Sequence, residues 1–385
     1  MTEGERILWV GPAGEAPEAD RAVDLPDAVL TPGLVNAHCH LDLTHARGAV
    51  PYRGGFADWL KAVRGLRAQP GIAEAALEGL RGALRRGTTS VGDVVSPQTF
   101  GDIVSAFGSS GVRGRLFVEA LGFHPDRAEA AFAKVWELAE MRALPPRVQS
   151  GLSPHAPYSV SRELVERLVA VADGHRRPLA VHLAETLEEL AFLRHGLGPL
   201  RELLREFGAD DPAHVPYGSV PAFLELVALQ EAPLSLIHGN YMRPRDVPPG
   251  AFVVYCPTAH QFFRHPEHPV LELLEEGVRV ALGSDSAASG DTIDLLSETQ
   301  FLSRARIDLD PKAIFRMATE WGAMALGLNA GTLHAGRLAD LAAFQPALGH
   351  EILGHEEARC VLSVVGGEIL HQVDPPASVG DTPPF

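Results

Sequence analysis

The chain has 385 residues, 46% of them hydrophobic and 21% charged, a balance that buries a sizeable core and excludes the disordered and fibrous classes. Its formal net charge of −16 repels phosphate backbones and removes nucleic acid from the expected partners, leaving a small molecule as substrate. The polar start MTEGERILWV, the lack of any run near the roughly 20 apolar residues of a membrane helix, and the scattered Cys39, Cys256 and Cys360 lead us to expect a cytoplasmic protein with no membrane contact and neither disulfides nor a thiolate metal site.

In chain order, ERILWVG and AVDLPDAVLTPG read as short extended stretches broken by Gly and Pro. From residue 33 β-branched runs alternate with Ala/Leu/Glu stretches of helical period. Strands are predicted at 33–40, 88–95, 114–122, 147–157, 178–186, 234–242, 251–260 and 278–289. Between them, helices are predicted at 72–87, 128–143, 161–174, 270–277 and 311–327, with Ser161 at a helix start and Gly87, Gly174 and Gly277 at helix ends. The strands recur about every 35 residues, the length of a βα unit. Eight such units predict an α/β fold, a (β/α)8 TIM-type barrel over residues 31–329. GRLADLAAFQPA and ARCVLSVVGGEILHQV return to extended character, so residues 330–375 are expected to pair with 1–30 in a small β-sandwich domain, leaving 376–385 as a Pro-rich tail.

Along the first strand, LVNAHCHLDL, His38 and His40 point to one side and Cys39 to the other, where it joins the core. In a chain with 17 histidines, His-x-His alone does not separate packing from metal binding. Position along the strands does. His38 and His40 end the first strand, His182 the fifth, His238 the sixth and Asp285 the eighth. In a barrel of this kind these ends form one rim, where active sites are built. Four histidines and a carboxylate gathered there point to a metal centre.

In order and context, TPGLVNAHCHLD, SPHAPYSVS, VHLAET, IHGNYM, LGSDSAAS and GRLADLAAF resemble the amidohydrolase superfamily, and within it the aminohydrolase branch of nucleoside, adenosylhomocysteine and triazine deaminases. The resemblance implies a mononuclear site with His38, His40, His182 and Asp285 as ligands, and Glu185 and His238 as acid/base groups. Binuclear members bridge two metals through a modified lysine on the fourth strand, whereas Lys61, Lys134 and Lys312 all lie away from strand ends. One divalent ion is therefore expected; nitrogen and oxygen ligands suit zinc, and iron or manganese also accept them. The implied reaction is hydrolytic deamination: activated water adds to a ring carbon bearing an amine, Glu185 and Asp285 shuttle protons, and His238 stabilises developing charge.

Other positions carry two readings. Glu185 is an acid/base group or a solvated cap of the helix beginning near Leu187, with catalysis preferred. His155 contacts substrate or anchors a rigid loop; Asp93 and Glu119 contact ribose or hold structure; Asn240, grouped with the substrate contacts, orients His238 or shapes a turn. Phe56 and Trp59, in a segment read as a loop, stack on a flat heterocycle or pack. His265 and His268 receive no role. The seventh-strand CPTAHQFF replaces the Asn-rich version usual in adenosylhomocysteine deaminases, resembles aminodeoxyfutalosine deaminases of menaquinone biosynthesis, and implies 6-amino-6-deoxyfutalosine as substrate. The alternatives are a hydrolase of cyclic amides or of another leaving group, and a non-catalytic relative; a homodimer is compatible with the chain.

Overall fold

The β-branched runs form parallel strands because each is covered on both faces, and helices supply the outer cover. The structure is a computed structural model that describes residues 1–228, 231–290 and 292–373; the expected tail at 376–385 lies outside these residues. Among the described residues the eight barrel strands are Leu34–His40, Thr88–Val95, Arg113–Ala120, Val148–Pro154, Leu179–Leu183, Leu234–His238, Phe252–Tyr255 and Arg279–Leu282. Each pairs in parallel with its predecessor. The eighth run breaks at Gly283 and Ser284 and resumes as Asp285–Ser286, which pairs with Cys39 and His40 of the first strand and closes the barrel. A side chain at Gly283 would press within 2.9 Å of the His38 Cβ and carbonyl oxygen, so only glycine lets the two strands meet there.

The first strand does not keep strict alternation. Val35 and Ala37 pack with Phe117, Ile237 and Val254, whereas Cys39 packs outward with Leu41 and Val91. A register shift against the second strand between Asn36 and Cys39 makes the switch. Such a bulge re-aims side chains, and here it turns His38 and His40 together onto the rim. The opposite end of the barrel is sealed by Ala323, Ala325 and Leu326.

The outer layer contains the expected helices Ile72–Arg85, Pro125–Ala139, Arg162–Gly174 and Val270–Glu275. The expected helix at 311–327 is two, Pro311–Ala318 and Glu320–Ala325, because Thr319 leaves helical geometry at φ −130°, ψ −87°. The segment read as a loop around Phe56 forms the helix Phe56–Arg64. Its start has no side-chain cap of its own; Glu188 accepts from the Phe56 and Ala57 N–H groups at 2.9 and 3.1 Å. That partner comes from elsewhere in the chain, which is why local sequence did not reveal the helix.

Both ends of the chain form small antiparallel sheets beside the barrel. Glu368–Gln372, Arg359–Val365, Leu341–Gln345 and Val29–Pro32 lie in that order in one sheet, and Thr2–Glu3 pairs with Arg6–Ile7 in another. Arg113, on the third barrel strand, joins the larger sheet to the barrel through a buried two-point contact with Asp340 at 2.6 and 3.0 Å. Among the described residues no helix is long and apolar enough to cross a membrane.

Candidate metal centre

Strand ends bring His38, His40, His182, His238 and Asp285 into one buried cluster, each at most 7% exposed. Ligand atoms of His38, His40 and His182 lie within 4.8 Å of one another, as do those of His38, His238 and Asp285. Asp285 Oδ1 is 3.3 Å from His38 Nε2 and 3.7 Å from His40 Nε2. The His40 and His182 rings stack at 5.4 Å, and His38 stands edge-on to both.

This arrangement fits a single divalent cation. Both ring nitrogens of His38 are buried without a hydrogen-bond partner, and a cation held at Nε2 beside Asp285 would satisfy one of them. His182 Nδ1 donates to His155 O at 2.9 Å, which keeps its Nε2 as the free ligand atom, while His40 Nδ1 lies 3.0 Å from Val94 O and 3.1 Å from Arg67 Nη2 and its Nε2 faces Asp285. Burial pushes His40, His182 and His238 well below the usual imidazole range and keeps all three neutral, the state that the ligand imidazoles among them need. Burial alone would raise Asp285, but the His38 contact and the neighbouring His238 and His40 outweigh it and hold the carboxyl ionised.

The backbone is strained at this rim. Ala184, His238 and Asp285 take left-handed conformations at φ 53°, 71° and 58°, uncommon for residues other than glycine. The turns at His238 and Asp285 lie at strand ends whose side chains join the cluster, and Ala184 follows the fifth strand and leads into Glu185. At Asp285 the conformation is secured by Ser289 Oγ, which donates to Oδ2 at 2.5 Å, and by Asn36, which accepts from Ser284 N and donates to Ser284 Oγ.

Glu185 is buried, and its Oε1 lies 3.5 Å from His238 Nε2. Burial, with the charges of Asp285 and Glu189, pushes its carboxyl well above the usual range. The helix Leu187–His195 is capped instead by Thr186, whose hydroxyl accepts from Glu189 N. Glu189 in turn accepts from Ala184 N and Glu185 N, both at 2.8 Å. The solvated-cap alternative for Glu185 therefore fails. Asn240 Nδ2 donates to the Glu185 carbonyl at 2.9 Å, so it braces the Glu185 main chain.

His155 adjoins the cluster, with its ring 4.9 Å from His182, Nδ1 2.6 Å from Ser159 Oγ and Nε2 3.7 Å from Glu119 Oε1. Glu119 is buried and receives Arg67 Nη1 at 3.0 Å; Arg67 also lies 3.4 Å from Asp42. Asp93 accepts from Leu41 N at 2.7 Å below the same rim. Phe56 and Trp59 are buried in an aromatic cluster, with Trp59 edge-on to Phe263 at 4.8 Å. Sequence reasoning missed Arg67, Ser289, Asn36 and Glu189. Only Glu189 left a readable signal, because Thr186-Leu-Glu-Glu189 has capping-box spacing.

The family model described as Amidohydrolase family matches residues 29–370. The aminodeoxyfutalosine deaminase of Deinococcus radiodurans is 32% identical over 317 residues, covering 78% of this chain and 74% of that protein. The 5-methylthioadenosine/S-adenosylhomocysteine deaminase of Syntrophobacter fumaroxidans is 32% identical over 360 residues, covering 87% of this chain and 77% of that one. The solved structure of Helicobacter pylori aminofutalosine deaminase with methylthio-coformycin has a TM-score of 0.79 at 22% identity, covering 89% of this chain and 87% of that one, a likeness of fold.

Proposed function

The chain belongs to the amidohydrolase family, and from that membership we propose that it is a metal-dependent deaminase hydrolysing the C–N bond of an aminated purine nucleoside. The observation that carries this reading is the approach of Glu185 to His238, 3.5 Å apart, beside a buried cluster of neutral imidazoles and one ionised carboxylate.

His38, His40, His182 and Asp285 would hold one divalent ion, and their nitrogen and oxygen donors suit zinc. Such an ion activates water at neutral pH by lowering its pKa from about 15.7 to about 7. Asp285, kept ionised, accepts the proton that the attacking water gives up. Glu185, whose burial favours the protonated carboxyl, delivers its proton to the ring nitrogen beside the reacting carbon and recovers one from the added hydroxyl as the C–N bond breaks, while the proton held by Asp285 leaves with the amine as ammonia. His238, neutral, hydrogen-bonds the attacked centre as charge develops there. Burial of the cluster excludes bulk water and strengthens these contacts.

The substrate we assign is 6-amino-6-deoxyfutalosine, which places the enzyme in menaquinone biosynthesis. The D. radiodurans relative and the CPTAHQFF segment support it. A 5′-substituted adenosine is the second reading, favoured by the equal identity and longer match of the S. fumaroxidans relative. Three free, buried cysteines support a reducing, cytoplasmic location. Ammonia release over a panel of aminodeoxyfutalosine, methylthioadenosine, adenosylhomocysteine and adenosine tests both levels. A kcat/KM highest for aminodeoxyfutalosine supports the assignment, a maximum at another member replaces it, and no ammonia from any member overturns the deaminase reading.

A further inference from the structure

His238 ends the sixth strand in a left-handed turn, φ 71°, and Gly239 continues it at φ 64°. Two such residues in succession peel the chain away from the barrel wall, and this aims the His238 ring at Glu185. A non-glycine residue resists that conformation, so something outside the strand must hold it. The His238 carbonyl is held by one side chain, that of His268, whose Nε2 donates to it at 2.9 Å from 30 positions further along the chain. A carbonyl accepts only, so the His268 proton sits on Nε2 and Nδ1 is bare; Nδ1 is buried with no donor at hydrogen-bond distance, so nothing competes for that tautomer.

His268 is itself rigidly placed. It is 2% exposed, lies between Pro266 and Pro269, and stacks on Tyr255 at the end of the seventh strand with ring centroids 3.8 Å apart. Its own carbonyl accepts from Arg306 Nη1 at 3.1 Å, and Arg306 is pinned by Asp308 and Glu267. A chain of contacts thus runs from the surface ion pairs through Arg306 and His268 to the His238 main chain, without touching the metal cluster's ligand atoms.

We propose that His268 is a positioning residue that holds His238 in its left-handed turn, so that the imidazole meets Glu185 at the reacting centre. The proposal rests on the deaminase reading for its kinetic consequence and on the geometry alone for its structural one. His268→Phe keeps a ring against Tyr255 and removes the donor; His268→Gln restores an N–H at the same reach. With the protein loaded with one metal ion per chain, His268→Phe is expected to keep its metal content and lose kcat by about 10- to 100-fold with KM within about twofold, and His268→Gln to recover most of the loss. A crystal structure of His268→Phe is expected to show His238 out of the left-handed region and the Glu185–His238 distance beyond 3.5 Å. An unchanged turn overturns the proposal whatever the activity. So does a kcat within twofold of wild type, a Gln variant as impaired as Phe, or a fall in metal content that parallels the fall in rate. Absence of ammonia release by the wild-type enzyme would instead overturn the deaminase reading, leaving the crystal structure to judge His268.

Discussion

Glu185 and Asp285 are carboxyl groups in one buried site whose surroundings push them in opposite directions. Burial favours the protonated form of Glu185, whereas imidazoles hold Asp285 ionised. A donor and an acceptor of protons are thereby set apart within one pocket. Glu185→Gln preserves the shape of the side chain and removes the transferable proton. The variant is expected to retain one metal ion per chain and its melting temperature, and to lose kcat by about 10²- to 10⁴-fold in an ammonia-release assay. Another buried acid, Glu298, lies outside this pair. It accepts from Thr258 N at 3.1 Å and Thr258 Oγ1 at 2.5 Å, and burial pushes its pKa up to about 8. Its folded pKa is raised, so the folded chain keeps a proton that the unfolded chain releases. The stabilisation is fully present below about pH 4.5 and is lost as pH rises toward about 8. Urea unfolding between pH 5 and about 8 should therefore show a shallower decline for Glu298→Gln than for wild type.

At the scale of elements, the site depends on strand ends that stop being strands. The left-handed residues Ala184, His238 and Asp285 each need local support, and Glu189 supplies it for the first by accepting from two successive N–H groups. Glu189→Ala leaves both donors buried without partners, at a cost of about 1–3 kcal/mol for each such group. The expected outcome is a lower urea midpoint together with reduced kcat, since the freed turn carries Glu185; unchanged kcat would separate the turn from catalysis. The helix Phe56–Arg64 is tied to the same segment through Glu188. Two neighbouring glutamates thus hold the catalytic turn and the aromatic cover to one helix.

Across the whole molecule, the chain ends and the barrel are joined at the end opposite the metal cluster. Arg113 and Asp340 are both buried, and Asp340 also accepts from Gly366 N at 2.7 Å, so one carboxylate connects the third barrel strand to two parts of the small sheet. Removing one partner leaves an uncompensated buried charge, a loss of about 3–5 kcal/mol. Asp340→Ala is expected to lower the urea midpoint sharply while kcat at low temperature stays within about twofold of wild type. A large fall in kcat with little change in stability would instead tie the small sheet to the reaction.

Much of this could be read from the sequence because parallel strands buried on both faces must be apolar and β-branched, and βα units recur at regular intervals. The eight strands, the rim histidines and Asp285 all followed from that periodicity. Tertiary structure alone decided what depends on partners far apart in the chain. The bulge that brings His38 and His40 inward after Ala37 is a mismatch between two strands, visible in neither. The helix at Phe56 starts on a carboxylate 132 residues away, and the turn at His238 is held from 30 residues away. Local pattern specifies which stretches become strands, because burial acts on each residue where it stands. Where those strands bend, and which side chains then meet, is settled only by hydrogen bonds that exist after the barrel has closed.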